Sequence, residues 1–159
     1  VSDPIGGAHG NWGPYSDTIL RIACGTRTIE VDLATGPDAS ALDWLAEAIA
    51  ERFAIVTAFN PCFLARGTAT AEENASAHAR LADALRRLGV RFIEADGVAR
   101  ADPQHVESGF AIACGVEVAR ELAVRFGQDA FFWFDGREFW IEPATVAGAG
   151  AVRVSDARG

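Results

Sequence analysis

Phe53-Ala54-Ile55-Val56-Thr57-Ala58-Phe59 is an apolar run broken only by Thr57 and closed by Asn60-Pro61. It is too short for a stable helix and carries no polar alternation, so it predicts a central strand buried on both faces of a sheet. Asn60-Pro61 ends it, because the residue before proline is pushed out of regular structure and Asn favours turns. Such a strand needs covering helices, and the flanking sequence supplies them.

Upstream, Thr18 to Cys24 and Arg27 to Asp32 alternate apolar and polar residues around Gly25-Thr26, which predicts a hairpin. Asp38 or Ser40 can cap a helix from about Ala41 to Arg52, with Leu42, Leu45, Ala46, Ile49 and Phe53 on one stripe. Downstream, Thr70 and Glu73 have the spacing of a capping box, opening a helix from about Ala71 to Leu88 that Gly89 stops. Its inward stripe is Ala77, Leu81, Ala84, Leu85 and Leu88. Val90 to Glu94 predicts a strand, Ala95 to Gln104 a loop containing Gly97 and Pro103, and Ser108 to Cys114 another strand. A helix follows from Glu117 to Phe126, ended by Gly127, and Ala130 to Phe134 and Glu138 to Glu142 flank the hairpin dipeptide Asp135-Gly136.

The expected order is β-β-α-β-α-β-β-α-β-β. It describes an α/β (α+β) domain in which three helices cover a mixed sheet, on one face or on both. Residues 1–14 read as a flexible segment, 15–143 as a single domain and 144–159 as a loosely held tail.

Composition bounds the function. A chain of 159 residues is the size of one domain, and no apolar run approaches the roughly 20 residues that cross a bilayer. The formal charge of -8 repels phosphate backbones, so neither nucleic acid nor membrane is an expected partner. All 14 basic residues are arginine, which removes Schiff-base lysine chemistry and the Walker-type lysine contact. Cys24, Cys62 and Cys114 are widely spaced and odd in number, arguing against a disulfide framework or structural zinc. With no secretory pattern in the first fifteen residues, the expected compartment is the cytoplasm.

Four ordered segments stand out together: Thr57-Ala-Phe-Asn60-Pro61, Glu72-Glu73-Asn74, His105-Val-Glu107-Ser-Gly-Phe110, and Phe126-Gly-Gln128-Asp-Ala-Phe-Phe-Trp133. Together they resemble the DUF3293 family of bacterial proteins, over roughly Tyr15 to Glu142. The resemblance implies a single domain and names no activity. In the family's pattern the aromatic before Asn-Pro is commonly Trp, whereas this chain has Phe59.

Ligands of open α/β sheets gather beyond strand ends where loops lead into helices, and Asn60, Asn74 and Cys62 fall there. Asn60 either caps its strand through an Asn-Pro turn or orients a substrate; Asn74 either faces solvent or joins it. His105 and Glu107, one residue apart, project to the same side of an extended segment and could form an acid-base pair, or else be a loop His beside a Glu bonded to main chain. Gln128 closes the helix before it or points into a cleft, and Thr57 enters through its motif. Cys62 near a helix start is the cysteine placed to be a nucleophile or ligand contact. His9, His78 and His105 are scattered, so neither metal nor cofactor is expected.

Two functions remain open at this level. In one, the protein is an enzyme in which Glu107 and His105 move a proton while Asn60, Asn74, Gln128, Thr57 and Cys62 position a polar carboxylate or amide substrate. In the other, it is a non-catalytic ligand-binding or interaction module, whose hairpin bearing Trp133 and Trp140 offers a homodimer surface.

Overall fold

The computed structural model describes residues 13–61, 68–144 and 150–157. Their organisation is α+β around one eight-stranded sheet. In chain order the elements are α1 (Gly13–Ser16), β1 (Thr18–Cys24), β2 (Arg27–Asp32), α2 (Ala39–Ala48), β3 (Phe53–Thr57), α3 (Ala71–Leu88), β4 (Phe92–Ala99), β5 (Val106–Ile112), α4 (Val116–Arg125), β6 (Ala130–Phe134), β7 (Phe139–Pro143) and β8 (Val152–Arg153). A 3₁₀ turn, Val154–Asp156, follows.

The strands lie in the order β2-β1-β4-β5-β3-β6-β7-β8, and every pairing between neighbours is antiparallel. This corrects the expectation of a mixed sheet. A strand dry on both sides suggested parallel neighbours, but here the dryness comes from helices lying on both faces of an antiparallel sheet. There are four α-helices among the described residues rather than three, α1 being a single turn.

The two faces carry separate cores. Phe53 and Ile55 of β3 join Leu45 and Ala48 of α2, and Ile49 just after it, on one face, with Leu20, Ile22, Val31 and Phe134. Ala54 and Val56, pointing the other way, join Ala77, Leu81 and Leu85 of α3 and Ala119, Leu122 and Phe126 of α4. The alternation of side chains along a strand thus sorts one apolar sequence into two cores.

Local signals explain the well-formed elements. Thr70 and Glu73 exchange hydrogen bonds in the capping box that opens α3, and Gly89 ends the helix in the left-handed region at φ 68°. Asp38 caps α2, accepting from the Ala41 amide at 2.8 Å. The hairpin between β6 and β7 is fastened by Asp135, whose carboxylate accepts from the amides of Arg137 and Glu138 and from Trp140 Nε1 at 2.8 Å. Burial works against the charge on Asp135, but these three donors outweigh it and hold its carboxyl below the usual range.

Two boundaries differ from the sequence reading. β4 continues through Ala95, Gly97 and Ala99, which read as loop because they are small; the strand pairs on both edges there, with β1 and with β5. Beyond Ala144, residues 152–153 pair with β7 and Val154 is buried, so this part of the tail is held by the sheet rather than loose. No helix among the described residues is long and apolar enough to cross a membrane.

One glycine is indispensable to the sheet. A Cβ at Gly109 of β5 would lie 2.6 Å from the Val56 carbonyl oxygen on β3. Gly109→Ala must push two central strands apart and is expected to cost about 2–3 kcal/mol, whereas Gly89→Ala, strained only by its φ, costs about 1 kcal/mol. Urea unfolding of the two variants checks the ranking, and equal losses would show that β3 and β5 can separate freely.

Candidate functional site

Past the end of α2, the first face of the sheet is left open and forms a cleft of about 270 Å³. Its floor is made of residues that alternate along five strands: Leu20 of β1, Ala95, Gly97 and Ala99 of β4, Glu107 and Gly109 of β5, Ile55 and Thr57 of β3, and Ala130 and Phe132 of β6. Pro14 and Tyr15 of α1 form a wall, with His105 and Gln128 completing the lining. The space exists because the floor side chains under it are small. Tyr15 meets Phe132 edge-on, with ring centroids 5.8 Å apart.

Glu107 is the carboxylate of this cleft, and a network behind it fixes its position. Asn60 Nδ2 donates to Glu107 Oε1 at 3.1 Å. Asn60 itself sits in the left-handed region, φ 48°, a conformation Asn tolerates better than other side chains. That turn aims its main-chain N–H at Asn74 Oδ1, 2.8 Å away, while its own Oδ1 accepts from the Ala69 amide at 3.0 Å and from Asn74 Nδ2 at 3.4 Å. The end of β3, the start of α3 and β5 are therefore joined through one carboxamide pair.

Gln128 holds the same turn from the other side, its Nε2 donating to the Phe59 carbonyl at 2.9 Å and to the Phe126 carbonyl at 3.2 Å. Thr57 Oγ1 donates to the Ser108 carbonyl at 2.7 Å and accepts from the Phe59 amide at 3.1 Å. His105, half exposed at the mouth in the β4–β5 turn, brings Nε2 to 3.7 Å from Glu107 Oε1. Both contacts fall on Oε1, so among the described residues no donor reaches Glu107 Oε2 on a side chain that is 34% exposed.

Tyr15 responds to this charge. Burial raises its phenol, and the carboxylates of Asp129 and Glu107 raise it further, to about 12. It stays a neutral hydroxyl at physiological pH.

Residues 56–131 match the family model DUF3293, a protein of unknown function. That segment belongs to the DUF3293 family. It holds the first three of the motifs that carried the resemblance and runs through Phe131 of the fourth, a narrower span than Tyr15 to Glu142. No curated protein and no solved structure matches the chain.

Six residues singled out from the sequence, Thr57, Asn60, Asn74, His105, Glu107 and Gln128, thus meet around one turn and one cleft. The seventh, Cys62, lies outside the described residues. Their division of labour differs from the expectation: His105, Glu107, Gln128 and Thr57 line the cleft, whereas Asn60 and Asn74 stand behind it and hold Glu107. Tyr15 was missed, and so was the floor of Ala95, Gly97, Ala99 and Gly109. Small residues at every second position, continuing a strand into a stretch of loop-like composition, were the available signal.

Two outcomes are expected. Asn60→Ala strands the Ala69 amide and Asn74 Nδ2 and puts alanine in the left-handed region, and should destabilise the fold by about 2–3 kcal/mol in chemical denaturation, whereas Glu107→Gln keeps an acceptor for Asn60 and should cost less than about 1 kcal/mol. Tyr15 is the single tyrosine of the chain, so tyrosinate absorbance reads the cleft directly. Glu107→Gln should move its midpoint to lower pH. Because the folded value lies above the unfolded one, wild-type stability is expected to be lost as pH rises from about 10 to about 12. An unmoved midpoint in Glu107→Gln would mean that the carboxylate does not face the phenol.

Proposed function

We infer that the cleft binds a small molecule and that Glu107, adjusted by His105, exchanges a proton with it. The supporting observation is the state of Glu107. A carboxylate in a largely apolar hollow is held by Asn60 through one oxygen, and the other oxygen has no donor in its own chain among the described residues. Leaving an acceptor unmatched in such surroundings is costly unless water or a ligand donates to it. His105 at 3.7 Å lies within reach to tune or relay that proton through a modest rotation.

The volume suits this reading. A cavity of about 150 Å³ accepts benzene, so 270 Å³ admits a ligand somewhat larger than a single ring. Asn60, Asn74 and Gln128 serve as positioning residues: they lock the turn and the carboxylate, and the polar ligand itself meets Glu107, Tyr15 and the Gln128 amide oxygen.

One observation favours the non-catalytic alternative. The amide groups of Asn60 and Gln128 donate to partners in their own chain, and among the described residues the Asn74 side chain bonds to Asn60, as they would in a binding module with a preformed pocket. Trp140, which suggested a dimer surface, is likewise occupied by Asp135 and by Arg153, 5.2 Å above its ring.

Incubation with the small-molecule fraction of a cell extract, followed by mass spectrometry, separates the two. For an enzyme, wild type consumes a compound, and Glu107→Gln, folded to the same melting temperature, does so at least about 100-fold more slowly. Retention of a compound without its consumption, equally in both proteins, would make the cleft a binding site only. Neither consumption nor retention would remove the functional reading altogether.

A further inference from the structure

The charge of the cleft narrows what it can hold. Among the described residues its lining contains one carboxylate, Glu107, and no arginine, His105 at the mouth being the one basic side chain, in a chain that has no lysine. A bound carboxylate would be brought next to Glu107 with no arginine opposite it among the described residues, and like charges at close range in a partly enclosed hollow repel. Tyr15 at the wall and Phe132 on the floor present rings suited to an apolar body or a cation. Asp129 adds to the negative field at the Tyr15 hydroxyl.

We propose that the cleft selects a small organic cation, an amine or amidine carried on a compact apolar body, with the ammonium or amidinium group on Glu107 Oε2 and the body on the floor of Ala95, Gly97 and Ile55. This rests on the reading of the cleft as a ligand site and replaces the carboxylate substrate expected from sequence. The ligand supplies the hydrogen-bond donors that Glu107 lacks, and Asn60 keeps the carboxylate aimed while it does so. The apolar floor rejects large polar bodies, and the volume rejects long chains.

Gly97 gives a way to close the cleft without changing the Glu107 carboxylate. A Cβ there meets only Thr18 Cγ2 at 3.5 Å and the Glu107 carbonyl oxygen at 3.9 Å, both ordinary contacts, so Gly97→Val fits a strand and fills the floor.

The test is calorimetric titration of benzylamine, benzyl alcohol and benzoate into wild type, Glu107→Gln and Gly97→Val, each first shown to be folded by circular dichroism. These three probes share one ring and differ in charge. Benzylamine is expected to bind wild type about tenfold or more tightly than benzyl alcohol, with benzoate weakest. Glu107→Gln should bring the amine down to the alcohol's affinity, and Gly97→Val should weaken every probe. If benzyl alcohol or benzoate binds as well as benzylamine and Gly97→Val still abolishes binding, the cleft is a ligand site and the selection for cations is wrong. If no probe gives saturable heat that Gly97→Val removes, the cleft is not a site for such ligands and both inferences fall.

Discussion

Asn60 sits where three parts of the molecule must agree. Its left-handed backbone turns the chain out of β3, its main-chain amide and side chain lock onto Asn74 in the first turns of α3, and its Nδ2 reaches across to Glu107 on β5. Each bond depends on the others, because the turn that aims the amide also aims the carboxamide. Buried polar groups raise the free energy unless all are matched, so a network of this kind holds only one arrangement of β3, α3 and β5 well. The placement of Glu107 is a consequence of that arrangement.

A second constraint, of volume, makes the arrangement useful. α2 covers one end of the first sheet face with Leu45 and Ile49, and at the other end the strands present Ala95, Gly97, Ala99 and Gly109 where bulky residues would fill the space. Gly109 also answers a backbone requirement, since β3 comes too close for any side chain there. The second face shows the contrast: there α3 and α4 cover Val56, Phe110 and Ile112 with a continuous apolar layer. One face is closed for stability, and the other is left partly open around a carboxylate.

Much of this was legible in residues whose signals are local. The capping box of Thr70 and Glu73, the left-handed stop at Gly89 and the turn at Asp135-Gly136 require only neighbours a few positions away, and each sits where the sequence put it. The polar residues could be gathered into one candidate group because the four motifs lie at or near the ends of elements and stand out together in one ordered pattern. What could not be read was pairing at long range. Nothing in β3 states that β5 and β6 are its partners, and a strand dry on both sides looks the same in parallel and antiparallel surroundings. The extent of β4 was hidden for a related reason: Ala95, Gly97 and Ala99 look like loop because the cleft above them needs no volume. Tyr15 was hidden because α1 is one turn long, below the length at which periodicity speaks.

The roles of the amide residues follow from hydrogen-bond capacity rather than from proximity. The Gln128 NH2 group donates to two main-chain carbonyls, and the Asn60 oxygen already accepts from the Ala69 amide and from Asn74, so both are engaged within the chain itself. Had they been the binding groups, their partners would have been left open. Glu107 is the opposite case, with one oxygen fixed and the other unmatched among the described residues, and fixing the first is what makes the second useful. A carboxylate free to rotate would turn toward water and lose its direction, at an entropic and solvation cost to any ligand that had to reorient it. Held by Asn60, it keeps one acceptor facing a hollow that no arginine enters among the described residues, and the charge sign of the cleft becomes a property of the fold itself.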